Sequence, residues 1–96
     1  VERFRIPDEY LGHLDANSVA TVEHWINHGG DLSGFYYYLF SGDYLNAACI
    51  ASGANFTGFG ALLRFLKISA PDGSYGSPEA VDAWRGLAAL EARDAR

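Results

Sequence analysis

His24 and His28 stand four residues apart, the separation at which two imidazoles on one helix can share a metal ion. Glu23 precedes His24, but the order is not the His-Glu-x-x-His of zinc proteases, and the only other histidine is His13. With no third ligand in view, no metal is expected; two imidazoles near a helix C-terminus also suit its negative pole. Cys49, the single cysteine, has no cationic neighbour in sequence and lies in an apolar run, so it reads as a buried thiol rather than a nucleophile. Gly53, Gly58 and Gly60 do not follow a strand pattern, and no Gly-Lys-Ser/Thr occurs, so no phosphate loop is signalled. Paired carboxylates are too common here to single out an acid and a base. No catalytic constellation emerges and no cofactor is implied: the chain reads as a binding protein, not an enzyme.

The candidates for binding are aromatic and cationic. Tyr36, Tyr37 and Tyr38 cannot all point inward from one helix, so at least one is expected at a surface or interface. Arg64 and Lys67 lie one turn apart on the polar arc of an otherwise apolar segment, and Arg85 is the other cation inside the expected folded body. Aromatic faces for stacking and two or three cations would suit a nucleotide-like anion. The same surface would serve an oligomer interface, and solvent-facing cations with their stems along apolar surface are the plain alternative.

These residues need a scaffold, and 96 residues supply one domain with a modest core. Hydrophobic residues make up 49% and aromatic ones 15%, more aromatic surface than such a core requires, which leaves a share for an interface. The net charge is −5, and no Lys or Arg lies between Arg5 and Arg64 while six acidic residues do. A half so charged does not attract a phosphate backbone, so general nucleic-acid binding is not expected; an acidic face could meet a basic partner. No apolar run approaches the roughly 18 residues of a membrane span, since Gly42 and Asp43 interrupt the most apolar stretch. The charged residues before Pro7 do not read as a signal peptide, and one cysteine implies no disulfide. A cytoplasmic location is the expectation.

The signals for helix ends predict an all-α domain of five or six short helices, with room for a short extended segment over residues 1–6, where Phe4 and Ile6 alternate with charge. Pro7-Asp8 opens a turn or two. Asn17 or Ser18 can cap a second helix carrying Val19, Val22, Trp25 and Ile26, stopped at Gly29-Gly30. Asp31 is placed to cap a third segment over 32–40, and Asp43 a fourth over 44–52. The fourth is apolar almost all round, which predicts a central, buried helix. A fifth runs over 54–67 with Phe56, Phe59, Leu62, Leu63, Phe65 and Leu66 on its apolar arc. Gly58 and Gly60 cost that helix up to about 1 kcal/mol each and permit close packing or approach of a ligand. After the break at 69–76, Ser77-Pro78-Glu79 is the clearest start in the chain. It leads into a face of Val81, Trp84, Leu87 and Ala88 and then a fraying charged tail.

Several pieces of this pattern occur together elsewhere. They are Gly29-Gly30 with Gly34-Phe35, then Leu39-Phe40-Ser41-Gly42-Asp43-Tyr44-Leu45, Ala47, Ala51 and Asn55, and finally Gly76-Ser77-Pro78-Glu79-Ala80-Val81 with Ala83-Trp84. In this the stretch 25–84 resembles a family of small, uncharacterised proteins encoded by phages and prophages. It departs from the family's pattern at Gly42, where asparagine is usual, and at Ala51-Ser52, where Ala-Asp is usual. The resemblance implies a mobile-element origin and an accessory role in the host-cell cytoplasm, directed against host defence. Two readings follow. One is a self-associating protein that blocks a host defence component by protein–protein binding. The other is a homo-oligomeric sponge that sequesters a nucleotide-derived immune signal in interface pockets, with Tyr36, Tyr37 and Tyr38 stacking on bases and Arg64, Lys67 or Arg85 meeting phosphates.

Overall fold

The computed structural model describes residues 4–32 and 34–89. Their order is α1 (Asp8–Leu11), α2 (Ala16–His28), α3 (Gly34–Phe40), α4 (Tyr44–Ile50), α5 (Ala54–Thr57), α6 (Phe59–Ile68) and α7 (Pro78–Ala83). Residues 87–89 turn helical again, and no strand occurs among the described residues. The fold is all-α, as the caps and glycine stops require. The expected fraying of the charged tail falls largely on residues 90–96, outside the described residues.

Most helix starts follow the local chemistry. The Ser77 hydroxyl accepts from the Ala80 N–H at 3.1 Å, with Pro78 in the first turn of α7. Asp43 caps α4, accepting from the Asn46 side-chain amide at 2.7 Å and its backbone N–H at 3.4 Å. Two helix starts differ from expectation. α2 is capped by Asp15, whose carboxylate accepts from the Ser18 N–H at 3.0 Å, and not by Asn17 or Ser18; Ser18 is inside the helix and buried. α3 begins at Gly34, two residues later than the expected start at Leu32.

Two helices also stop early, and each stop is a close approach of backbones. The expected helix over 54–67 breaks at Gly58, where a β-carbon would sit 2.7 Å from the His13 carbonyl oxygen. α7 ends at Ala83 instead of continuing through Ala88, because Trp84 is extended and Gly86 takes φ 96°. Gly86 lies against the Asn27 carbonyl and the His28 Cα, and Gly29 lies against the backbone of Trp84 and Arg85. The end of α2 and the chain after α7 thus meet backbone to backbone, each segment contributing a glycine at the contact.

The core is built from Val22, Trp25, Ile26, Leu39, Phe40, Leu62, Phe65 and Leu66, with Ile6, Tyr10, Val81 and Trp84 closing its edges. Both indoles are anchored to backbone: Trp84 Nε1–H donates to the Trp25 carbonyl at 2.9 Å, and Trp25 Nε1–H donates to the Ser74 carbonyl at 3.0 Å. α3 packs on α4 and α7, and α1 on α6.

Residues 4–7 are extended, with Ile6 buried and Arg5 exposed, as the alternation predicts; residues 1–3 of that segment lie outside the described residues. What holds the segment is α2. The Asn27 amide accepts from the Phe4 N–H at 2.8 Å and donates to the Phe4 carbonyl at 3.0 Å, while Glu23 accepts from the Ile6 N–H at 2.8 Å. Side chains here satisfy backbone groups that a neighbouring strand would otherwise pair.

Candidate protein-contact face and the aromatic and cationic residues

α4 is not the central helix its composition predicts. Ala47 is its one buried residue, and Tyr44, Leu45, Asn46, Ala48, Cys49 and Ile50 are exposed. The thiol of Cys49 is accordingly exposed, not buried. The reason is geometric. A seven-residue helix whose inward position is an alanine has one narrow line of contact with α3, and its remaining apolar residues have nothing further to cover them. Leu45, on the side opposite Ala47, is 83% exposed. On α5, which buries none of its residues, Phe56 is 69% exposed although the helical wheel assigned it to the core. The kink at Gly58 separates Phe56 from the packed face of α6. α4 and α5 thus each hold large apolar side chains in solvent, a feature that marks interaction sites. Its signal in the sequence was the smallness of Ala47, Ala48, Cys49 and Ala51, too little bulk for a helix buried on all sides.

The three tyrosines divide. Tyr36 is turned inward: its hydroxyl lies 3.1 Å from the Ser18 hydroxyl and donates to the Asn55 side-chain oxygen Oδ1 at 3.3 Å, and the Ser18 hydroxyl donates to that same Oδ1 at 3.2 Å. The ring of Phe35 lies edge-on to it at 5.3 Å. Tyr36 therefore ties α2, α3 and α5 together. Tyr37 and Tyr38 are half-buried, with ring centroids 6.0 Å apart. Tyr37 lines an open cleft of about 380 Å³ with Gly30, Asp31, Leu32, Val81, Asp82 and Arg85.

The cations divide as well. Arg85 is partly engaged, its Nη1 donating to the Asp82 carbonyl at 2.6 Å and to the Trp84 carbonyl at 3.2 Å. Arg64 lines a different cleft, of about 400 Å³, beside Glu9, Tyr10 and His13. Lys67 is exposed in the last turn of α6. The structure thus brings Tyr37 and Arg85 together and sets Arg64 in another cleft.

His24 and His28 form a neighbouring pair on α2, ring centroids 5.1 Å apart. Glu23 lines a cleft with both histidines, but its carboxylate holds the Ile6 N–H. Among the described residues no group of three or more His, Cys, Asp or Glu is arranged to hold a metal ion. Hydrogen bonding from Ser18 holds the Asp15 carboxyl below the usual carboxylate range. That shift belongs to the helix cap. No helix is long and apolar enough to cross a membrane among the described residues.

Comparisons with known protein families, with curated proteins and with solved structures return no match for this chain.

Proposed function

We propose that this protein is a non-enzymatic accessory protein of the phage type that blocks a component of host defence, in the host-cell cytoplasm, by protein–protein contact. The observation behind this reading is the exposed apolar side chains of α4 and α5, where Leu45 and Phe56 stand in solvent. Large apolar side chains left in water on two successive helices favour a surface meant to be covered. The test is phage plating on bacteria that carry a defence system, with and without this protein. Leu45→Asp combined with Phe56→Asp should abolish protection while leaving the circular dichroism spectrum unchanged, since neither side chain contributes to the core. Protection equal to that of the unmodified protein would overturn the reading.

A second reading, a homo-oligomeric sponge for a nucleotide-derived signal, draws on the cleft lined by Tyr37 and Arg85. Asp31 and Asp82 line the same cleft and would oppose a phosphate there, which is why protein contact is preferred. Nucleotide released by heating the purified protein, and lost in Arg85→Ala, would reverse that preference.

A further inference from the structure

Residues 44–63 contain no Asp, Glu, Lys, Arg or His, in a chain whose net charge is −5. Two like-charged copies repel one another across acidic surfaces, but over this stretch they can meet without setting like charges together. A foreign partner recognised by charge would find nothing here to steer or register it. The relief of α4 is also self-complementary. Leu45 projects, while Ala48 and Cys49, three and four positions on, share its side of the helix and are small and exposed. Antiparallel pairing of two α4 helices sets each Leu45 over the partner's Ala48 and Cys49, an isologous contact that closes on itself. Phe56 of α5 is a further exposed apolar side chain within the same uncharged stretch.

Resting on the reading of this surface as a protein-contact face, we infer that its occupant in the free protein is a second copy of this chain, paired about a two-fold axis that crosses α4 midway between Leu45 and Cys49. α4 is only seven residues long. It cannot supply the roughly 800 Å² per partner of a standard interface, so the dimer is a weak one.

Sedimentation equilibrium of the full chain tests this across the micromolar range and up to its solubility. The apparent mass should climb from 10.4 kDa toward twice that value. Leu45→Asp should weaken dimerisation about tenfold or more. A short thiol-reactive crosslinker should give a covalent dimer through Cys49, and Cys49→Ser should abolish the crosslink while still showing the climb in mass. A mass fixed at the monomer value, or a dimer indifferent to Leu45→Asp and not crosslinked through Cys49, overturns the inference. The plating assay separates the two claims. A strictly monomeric protein whose protection is lost in Leu45→Asp sinks the dimer and leaves the protein-contact reading standing. A dimer broken by Leu45→Asp that still protects the phage upholds this inference and sinks that reading.

Discussion

Replacing Trp84 with alanine removes a side chain that is 6% exposed and sits where the end of α2, the loop at Gly73 and the end of α7 converge. Truncating a buried tryptophan costs about 3–5 kcal/mol. No further penalty for an orphaned acceptor is due, because the Trp25 carbonyl that loses the indole N–H still accepts from the Gly29 N–H at 2.8 Å. Domains of this size have a total stability of about 5–15 kcal/mol. At about 4–8 °C per kcal/mol, the melting temperature should fall by roughly 12–40 °C. The upper part of that range leaves insoluble or molten protein at room temperature. Thermal melts and urea titrations followed by circular dichroism measure it, with Trp84→Phe as the control that keeps a ring and deletes the N–H. If Trp84→Ala melts within a few degrees of the unmodified protein and loses only a partner, Trp84 belongs to a binding site and the packing argument is wrong.

Tyr36→Phe should cost about 0.5–1.5 kcal/mol in urea denaturation through its bonds to Ser18 and Asn55, with partner binding intact; the opposite outcome would return Tyr36 to the site. Gly86→Ala should destabilise by more than about 1 kcal/mol, since φ is 96° and the added carbon meets the Asn27 carbonyl. Gly60→Ala, where the added carbon meets nothing, should stabilise by up to about 1 kcal/mol, and equal melting curves for the two variants would contradict the contact geometry. The Asp15 carboxyl titrates lower when folded than when unfolded. Its contribution is therefore present above the unfolded value of 3.8 and is lost as pH falls through the folded one. Asp15→Asn keeps an acceptor without titrating, so the melting difference between the two proteins should shrink on acidification, and a constant gap would show that the cap does not depend on charge.

What could be read from sequence was whatever is decided within a turn of helix. Ser77-Pro78-Glu79, Asp43 and the Gly29-Gly30 stop each act on backbone a few residues away, and each appears where expected. Ser18 shows where such reading ends. Its type suits a cap, but its hydroxyl goes to Tyr36 and Asn55, partners 18 and 37 residues distant, and the cap passes to Asp15. Tyr36 was singled out for surface duty for the same reason, its inward partner being invisible along the chain. The wheel of the fifth segment was drawn through Gly58, whose approach to His13 depends on how α1 meets α6. The apolar ring of α4 predicted burial, yet burial needs neighbours, and composition does not count them.

The two indole bonds have a bearing on time as well as on strength. Trp25 reaches Ser74 across 49 residues and Trp84 reaches Trp25 across 59, whereas the bonds from residues 4 and 6 to α2 span 23 and 17. Contacts between distant parts of a chain form only after the intervening loop has lost its freedom. The helices and the strapped segment can therefore assemble while the tryptophans are still apart, and the indole chain closes late. A late contact weighs little on the rate of folding and heavily on the rate of unfolding. Trp84→Phe should let the protein fold at close to its usual speed and then fall open sooner, so that the helices govern how fast the native state is reached and the two tryptophans govern how long it lasts.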